Sequence, residues 1–444
     1  MKKVIRLSDH FTYRSLLRFT MPSIVMLVFT SIYGVVDGFF VSNFVGKTAF
    51  AAVNFIMPFL LILGCVGFMM GTGGGALIAK TMGEGDLKKA NQIFSMVVWF
   101  SCLCGLILAV LGHVFLEPAA RALGAEGQML TDSIAYGRVI LTAIPAYVLQ
   151  YEFQCLFVTA EKPKLGLYVT VAAGLTNVVL DAVFVAGFSW GVLGAAAATA
   201  LSQCVGGILP LIYFVRPNTS KLRLTKAKFH GRTMLKVCAN GSSELMSNIS
   251  MSLVAILYNV QLLHYAGQNG IAAYGVLMYV NMIFQAAFLG YAVGSAPIVS
   301  YHYGGRNGEE LRNLLKRSLW IIAVFAVAMF LSAELLAKPL ARMFVGYDRE
   351  LMEITLRGFV IYSFSFLFSG FAIFGSSFFT ALNDGLTSAL ISFLRTLVLQ
   401  VIAVLLLPLV WGIDGIWLSI VVAEMMAVAV TVVFLSVKQR KYGY

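Results

Sequence analysis

Long apolar stretches separated by short polar segments run the whole length of the 444-residue chain. In the first half they lie near residues 15–43, 50–80, 91–116, 130–159, 165–187 and 190–215. In the second half they lie near 236–264, 270–302, 314–337, 352–381, 386–409 and 414–437. About 20 apolar residues suffice to cross a bilayer as a helix, so each stretch predicts a membrane span. The strict alternation of a β-barrel is absent, which predicts an all-α integral membrane protein with twelve transmembrane helices.

The pattern repeats at one fixed offset of 221 residues. Phe157-Val158-Thr159-Ala160 recurs as Phe378-Phe379-Thr380-Ala381, and Trp190-Gly191 through Gly194 recurs as Trp411-Gly412 through Gly415. Pro118 to Arg121 recurs as Pro339 to Arg342, while Gly46, Gly73 and Gly83 meet Gly267, Gly294 and Gly304. No gap is needed, so two six-span lobes share one architecture. An even number of spans per half gives both lobes the same orientation, as in transporters built from parallel repeats. The expected domains are an N-terminal lobe, 1–215, a basic linker, 216–235, and a C-terminal lobe, 236–444.

Composition agrees with this division. The chain is 59% hydrophobic and 12% charged, with a mean hydropathy of +0.86, outside the range of soluble domains. With the N-terminus inside, Lys and Arg divide as 24 on the cytoplasmic side, 7 outside, and Arg395 within a span. That asymmetry predicts cytoplasmic N- and C-termini. It also accounts for the net charge of +12 through topology and anionic lipid rather than nucleic-acid binding. The first apolar stretch is too long for a cleavable signal peptide.

Six cysteines lie in or beside spans without metal-ligand spacing and read as packing residues. Gly71-Thr72-Gly73-Gly74-Gly75 lacks the Gly-Lys-Ser/Thr ending of a phosphate loop and reads as a close helix contact. The five histidines form no motif, and no nucleophile–base arrangement is visible, so the chain is not expected to be an enzyme.

Ionisable residues inside spans are costly and functional by default. Asp37 lies in the first span and Asp181 in the fifth, with Asn177 on the same helix face as Asp181. Tyr33 precedes Asp37 by four residues, and Thr199 precedes Gln203 by four in the sixth span. At 1.5 Å per residue, Asp37, Asn177, Asp181 and Thr199 fall at roughly 10–16 Å below the outer ends of their helices. Two carboxylates, an amide carbonyl and a hydroxyl converging at one depth suit a hard cation such as Na⁺, or protons. The positions 221 residues further on are Tyr258, Val398, Ile402 and Ile420, so the second half does not duplicate the group. It offers Glu244 and Asn248 in span 7, Arg395 in span 11 and Glu424 in span 12. Glu244 would either attract a cationic substrate or pair with Arg395. Glu152 in span 4 has a weaker claim. Tyr33, Gln203, Glu244, Asn248 and Arg395 are therefore candidates for a substrate cavity.

These residues resemble the multidrug and toxic compound extrusion (MATE) family of bacterial antiporters, over essentially the whole chain. Met21-Pro22 followed by Gly34-Val35-Val36-Asp37 is similar to the family's first helix. Gly83-Glu84-Gly85-Asp86 and Gly304-Gly305-Arg306-Asn307 resemble its paired Gly-rich loops, and Thr176-Asn177 through Asp181 its fifth-helix motif. The resemblance implies a V-shaped cavity between two lobes in the bacterial cytoplasmic membrane. It also implies export of lipophilic, often cationic drugs against import of Na⁺ or H⁺, with no other cofactor. Coupling in the N-lobe would fall on Asp37, Asn177, Asp181 and Thr199. A second, C-lobe Na⁺ site used by some members is not carried over, because span 10 has no internal acid. The protein is expected to function as a monomer. The rival readings are a lipid-linked oligosaccharide flippase on a related fold, which needs a cationic cavity, and a major-facilitator antiporter. The latter's Asp- and Arg-rich loop after span 2 is replaced here by Gly83 to Lys89.

Overall fold

The computed structural model describes residues 5–122, 124–226, 228–346 and 348–444. Residues 1–4 of the N-terminal tail and 227 of the linker lie outside them. The described residues form an all-α, multi-span membrane protein. Its helices are α1 (Tyr13–Phe40), α2 (Lys47–Gly83), α3 (Leu87–Ala122), α4 (Gly127–Thr142), α5 (Ile144–Thr159), α6 (Pro163–Asp181) and α7 (Gly191–Val215). They continue as α8 (Gly231–Gly304), α9 (Gly308–Val345), α10 (Arg349–Ser363), α11 (Phe366–Ala381), α12 (Gly385–Phe393), α13 (Leu399–Leu406), α14 (Pro408–Trp411) and α15 (Ile413–Tyr442). Nine helical segments among the described residues are long and apolar enough to cross a membrane, or up to eleven if each bent pair is one span.

The two bent pairs each fall where one uninterrupted span is expected. α4 and α5 meet at 61°, and α10 and α11 at 50°. The first bend has a visible cause: Pro145 follows Ile144 and cannot donate the hydrogen bond that would continue α4. No proline marks the second. In the other direction, the expected spans 236–264 and 270–302 are joined in the 74 residues of α8. The break between them sits at Gly267, where φ is +63°. A straight helix of that length would reach roughly 110 Å, far beyond any bilayer.

Backbone conformation follows the 221-residue offset. Gly46 and Gly267 both take positive φ, as do Gly191 and Gly412, and as do Gly85 and Arg306. Left-handed geometry costs a glycine little and an arginine more. Arg306 therefore keeps a turn shape that Gly85 adopts freely.

α8 packs most extensively against α2 and α1. The approach is close enough to demand glycine. A Cβ on Gly83 would overlap the carbonyl oxygen of Tyr301, and one on Gly304 that of Lys80. Gly73 and Gly241 stand in the same relation to Val237 and Met69. The Gly71–Gly75 tract is thus a helix contact, as its sequence context predicts, and backbones approach in the manner of small-residue membrane interfaces.

The buried apolar side chains divide unevenly. One large cluster draws on both halves, with Phe19, Phe94, Phe153, Phe157 and Phe214 beside Tyr291, Phe374 and Phe378. A second cluster, including Val41, Ile56, Tyr136 and Ala195, uses only the first half. A third, including Tyr258, Tyr274, Tyr362 and Trp417, uses only the second. The halves therefore share a core at one end and keep separate cores at the other.

The shared end is also stitched by the segment before α1. Leu7 and Phe11 are fully buried. The Leu7 N–H donates to Glu161 Oε1 at 2.8 Å, while the Phe11 N–H donates to Glu310 Oε1 at 2.9 Å. His10 Nδ1 lies 2.6 Å from Glu310 Oε2. A few residues thereby tie a loop of the first half to a helix of the second.

Candidate functional site

Asp37, near the end of α1, and Asp181, the last residue of α6, are each followed closely by a π-helical turn, Val41–Val45 and Ala182–Gly187. Such turns widen the helix by one residue and are frequent at functional sites, because they re-aim side chains and free backbone groups. Here they lie just beyond the two carboxylates. Thr199 comes from α7, and Asn177 from the turn of α6 before Asp181.

The four residues meet. Thr199 Oγ1 donates to Asp37 Oδ1 at 3.5 Å, and Asn177 Nδ2 donates to Thr199 Oγ1 at 3.3 Å. The Asp181 carboxyl is a direct neighbour of Asp37. Asp37, Asn177 and Asp181 are buried. Asn177 Oδ1 and both Asp181 carboxyl oxygens have no hydrogen-bond partner among the described residues. Buried acceptors are normally satisfied, and a buried carboxylate without a cation is costly. Unpartnered oxygens beside a second carboxylate match the chemistry of a cation or proton acceptor.

Two neighbours of this group escape the sequence reading. Tyr136 of α4 is fully buried beside Thr199, with both aspartates within electrostatic reach and its hydroxyl unpartnered among the described residues. Gln150 of α5 contacts the Tyr33 hydroxyl, which in turn stands near Asp37. Neither carries a charge, so a scan for intramembrane acids passes over them. A buried tyrosine usually bonds its hydroxyl, and that is the one signal Tyr136 offers.

The second half presents different chemistry. Arg395 lies in a π-helical turn, Leu394–Val398. Its Nε donates to Glu424 Oε2 at 2.8 Å and Oε1 at 3.1 Å, and its Nη2 donates to Oε1 at 2.8 Å. This two-pronged pair is the strong form of an ion pair. Of the two fates expected for Glu244, pairing with Arg395 is not the one observed, because Glu424 occupies the guanidinium. Tyr258, at the position matching Asp37, donates to Gln400 Oε1 at 3.0 Å. It stacks on Tyr274 with ring centroids 5.4 Å apart.

Glu244 instead faces a small cavity of about 20 Å³ between the halves, walled by Thr72, Thr159, Pro297 and Thr380 among others. Asn248, one turn on, donates its amide to the Glu244 backbone carbonyl at 2.8 Å. Gln203 is buried, with Oε1 unpartnered among the described residues. Glu152 is fully buried, and neither of its carboxyl oxygens has a partner there. The five cavity candidates thus do not form one group. Tyr33 belongs with the first-half acids, Glu244 with the central cavity, Asn248 with the Glu244 backbone, Gln203 with the buried interior of α7, and Arg395 with its ion pair.

Comparisons with known proteins point one way. The family model described as MatE matches the chain twice, over residues 22–183 and 245–406. The multidrug export protein MepA of Staphylococcus aureus strain MRSA252 is 21% identical over 413 residues, which covers 93% of this chain and 91% of that protein. Its counterpart in Staphylococcus haemolyticus strain JCSC1435 is 24% identical over 422 residues, covering 93% and 90%. Among solved structures, a MATE crystal structure in complex with MaL6 superposes with a TM-score of 0.93 at 22% identity, covering 100% of this chain and 99% of that one.

Proposed function

The chain belongs to the MATE family of membrane transporters, and from that membership and the geometry above we propose a multidrug efflux antiporter working by alternating access. It is a transporter and not an enzyme. Twelve spans follow on this reading if each bent pair counts once and α8 is taken as two spans broken at Gly267, and that break supports the reading. The family model's double match supports two lobes, 1–215 and 236–444, joined by the linker 216–235.

The observation that carries the proposal is the division of the core. A core shared at one end and split at the other is what a V-shaped, two-lobed molecule requires. The glycine contacts of α2 with α8, together with the N-terminal segment, would close the cytoplasmic end. The cavity would open outward, with the Asp37 group beside the split end. On this reading the molecule rests in its outward-open state, with both termini in the cytoplasm of a bacterial cell, and works as a monomer.

In the cycle, H⁺ or Na⁺ entering from outside binds Asp37, Asp181, Asn177 and Thr199. Neutralising the two carboxylates removes their mutual repulsion and lets α1 and α6 repack, with α1 bending near Pro22. That repacking loosens the hold on a lipophilic, often cationic substrate. Return to the inward-open state frees the ion. For this to work, the ion must prefer one state, and a thousandfold preference corresponds to about 4 kcal/mol. The oligosaccharide flippase loses its one internal cation, since Arg395 is neutralised by Glu424.

The test is dye uptake into proteoliposomes with Na⁺ and pH gradients imposed separately. One gradient should drive transport in the wild-type protein. No transport of any cationic dye under either gradient would reject the reading.

A further inference from the structure

We propose that the cleft between the linker-end portions of α1 and α6 binds the phosphate headgroup of an anionic phospholipid. The proposal rests on the membrane fold and not on the transport reading. The cleft has a volume of about 400 Å³ and is lined by Arg18, Lys162 and Lys164, with Phe19, Leu165 and Tyr168 on its apolar side.

Its charge is unbalanced. The single acid on its wall is Glu161, and that carboxylate is already engaged. It accepts the Leu7 N–H at 2.8 Å and stands 3.2 Å from the Lys221 ammonium. Among the described residues, Arg18, Lys162 and Lys164 form no ion pair. Three cations therefore share one cleft with no counter-charge of their own. Lys162 and Lys164 also flank Pro163, the first residue of α6, so the positive end of that helix dipole adds to the attraction for an anion.

Depth separates a lipid from a free anion. Arg18 is the last charged residue of α1 before an uncharged run reaching Asp37, and Lys164 the last of α6 before a run reaching Asp181. Both cations thus stand where hydrocarbon gives way to headgroups. Tyr168 is 64% exposed and shares a face of α6 with Lys164 one turn away. An exposed tyrosine at that level is characteristic of the bilayer interface. A free phosphate would gain nothing from Phe19, Leu165 or Tyr168, whereas the glycerol and upper acyl chain of a lipid would cover them. Basic pockets between spans at this level are suited to anionic headgroups. A cationic drug would be repelled.

An occupant would join three parts of the shared end. Pro22 of α1 and Ile5 of the N-terminal segment also line the cleft, and that segment continues to Glu310 through Phe11. A bound headgroup therefore braces α1, α6 and the N-terminal segment against each other.

The test is thermal unfolding of the purified full-length protein in detergent, with phosphatidylglycerol, phosphatidylcholine or glycerol 3-phosphate added in turn. Phosphatidylglycerol alone is expected to stabilise it, and native mass spectrometry should show that lipid retained. Replacing Arg18, Lys162 and Lys164 together by Gln should weaken phosphatidylglycerol binding on the order of a hundredfold, about fivefold per charge. A control with Lys88→Gln, Arg312→Gln and Lys316→Gln removes the same charge outside the cleft and should leave binding within about threefold. Equal affinities for the two triple variants, or equal stabilisation by phosphatidylcholine or glycerol 3-phosphate, would overturn the proposal. Should the cleft variant not fold, Lys164→Gln alone decides: that exposed side chain should cost about fivefold, and unchanged affinity rejects the site.

Discussion

In the first half of the molecule a pair of buried carboxylates meets with no cation beside it among the described residues, and the second half holds a buried carboxylate locked onto a guanidinium. Asp37 and Asp181 face each other, and both oxygens of Asp181 lack partners among the described residues. Glu424 is held by Arg395 through three hydrogen bonds. Both arrangements are expensive to place in a membrane. A self-neutralised pair is complete and has no need of an ion from outside. An acid pair is incomplete, and only a proton or a cation completes it. Equal scaffolds therefore carry unequal chemistry.

The most severe way to test that contrast is to neutralise the acid pair. Asp37→Asn should abolish ion-coupled uptake in proteoliposomes while leaving the folded protein intact. The loss expected is at least about a hundredfold, because the variant removes one of the two carboxylates that the ion or proton has to neutralise. Full coupling in that variant would remove the first-half assignment. Next comes the ion pair. Glu424→Gln strands Arg395 and should destabilise the protein by about 3–5 kcal/mol, visible as a lowered unfolding temperature in detergent. Replacing both partners with Met should recover most of that stability and leave coupling intact. A double variant that is stable yet uncoupled would place the second half on the ion path as well.

A smaller effect is expected at Tyr136. Tyr136→Phe removes a buried hydroxyl that has no hydrogen-bond partner among the described residues and is free to bond the ion-loaded group; it should weaken apparent ion affinity by about fivefold, corresponding to one hydrogen bond. An unchanged ion dependence would leave Tyr136 as packing only. The least effect belongs to Asp384, in the loop before α12. It accepts from Tyr442 Oη at 2.7 Å, Thr387 Oγ1 at 2.8 Å and Lys438 Nζ at 3.1 Å. Burial alone would raise its pKa, but the hydrogen bonds from Tyr442, Thr387 and Lys438 outweigh it and hold the carboxyl below its usual value of 3.8. A depressed folded-state pKa gives stability that is present above the ordinary value and is lost as pH falls through the folded one. Asp384→Asn should therefore cost about 1 kcal/mol at neutral pH. Its unfolding temperature should converge with that of the wild type only below about pH 4.

Much of this contrast is legible along the chain. The intramembrane acids stand out because charge inside an apolar run is rare. The 221-residue offset then shows that Asp37, Asn177, Asp181 and Thr199 have no chemical counterparts in the second half. Depth counting along three helices brings the same four side chains to one level, and the hydrogen bonds through Thr199 join three of them, Asp37, Thr199 and Asn177. Arg395 illustrates the opposite case. Its two possible partners, Glu244 and Glu424, both lie inside spans, and helical rise alone does not fix which helix faces which. Tyr136 and Gln150 are missed for a related reason, since an uncharged polar residue in a span carries little signal of its own.

The sequence by itself determined the all-α, multi-span membrane class, and it singled out Asp37, Asn177, Asp181 and Thr199 as polar residues at one depth in apolar runs. Each of these follows from local periodicity, or from the cost of charge in hydrocarbon, and both act on the chain one segment at a time. Only the tertiary structure decided that α4 and α10 bend away from their continuations, and that π-helical turns lie just beyond Asp37 and Asp181. It alone matched Arg395 with Glu424 and separated the cores at one end while merging them at the other. Those outcomes depend on the rotation and crossing of helices far apart in sequence, where packing between backbones, as at Gly83 and Gly304, settles what periodicity leaves open.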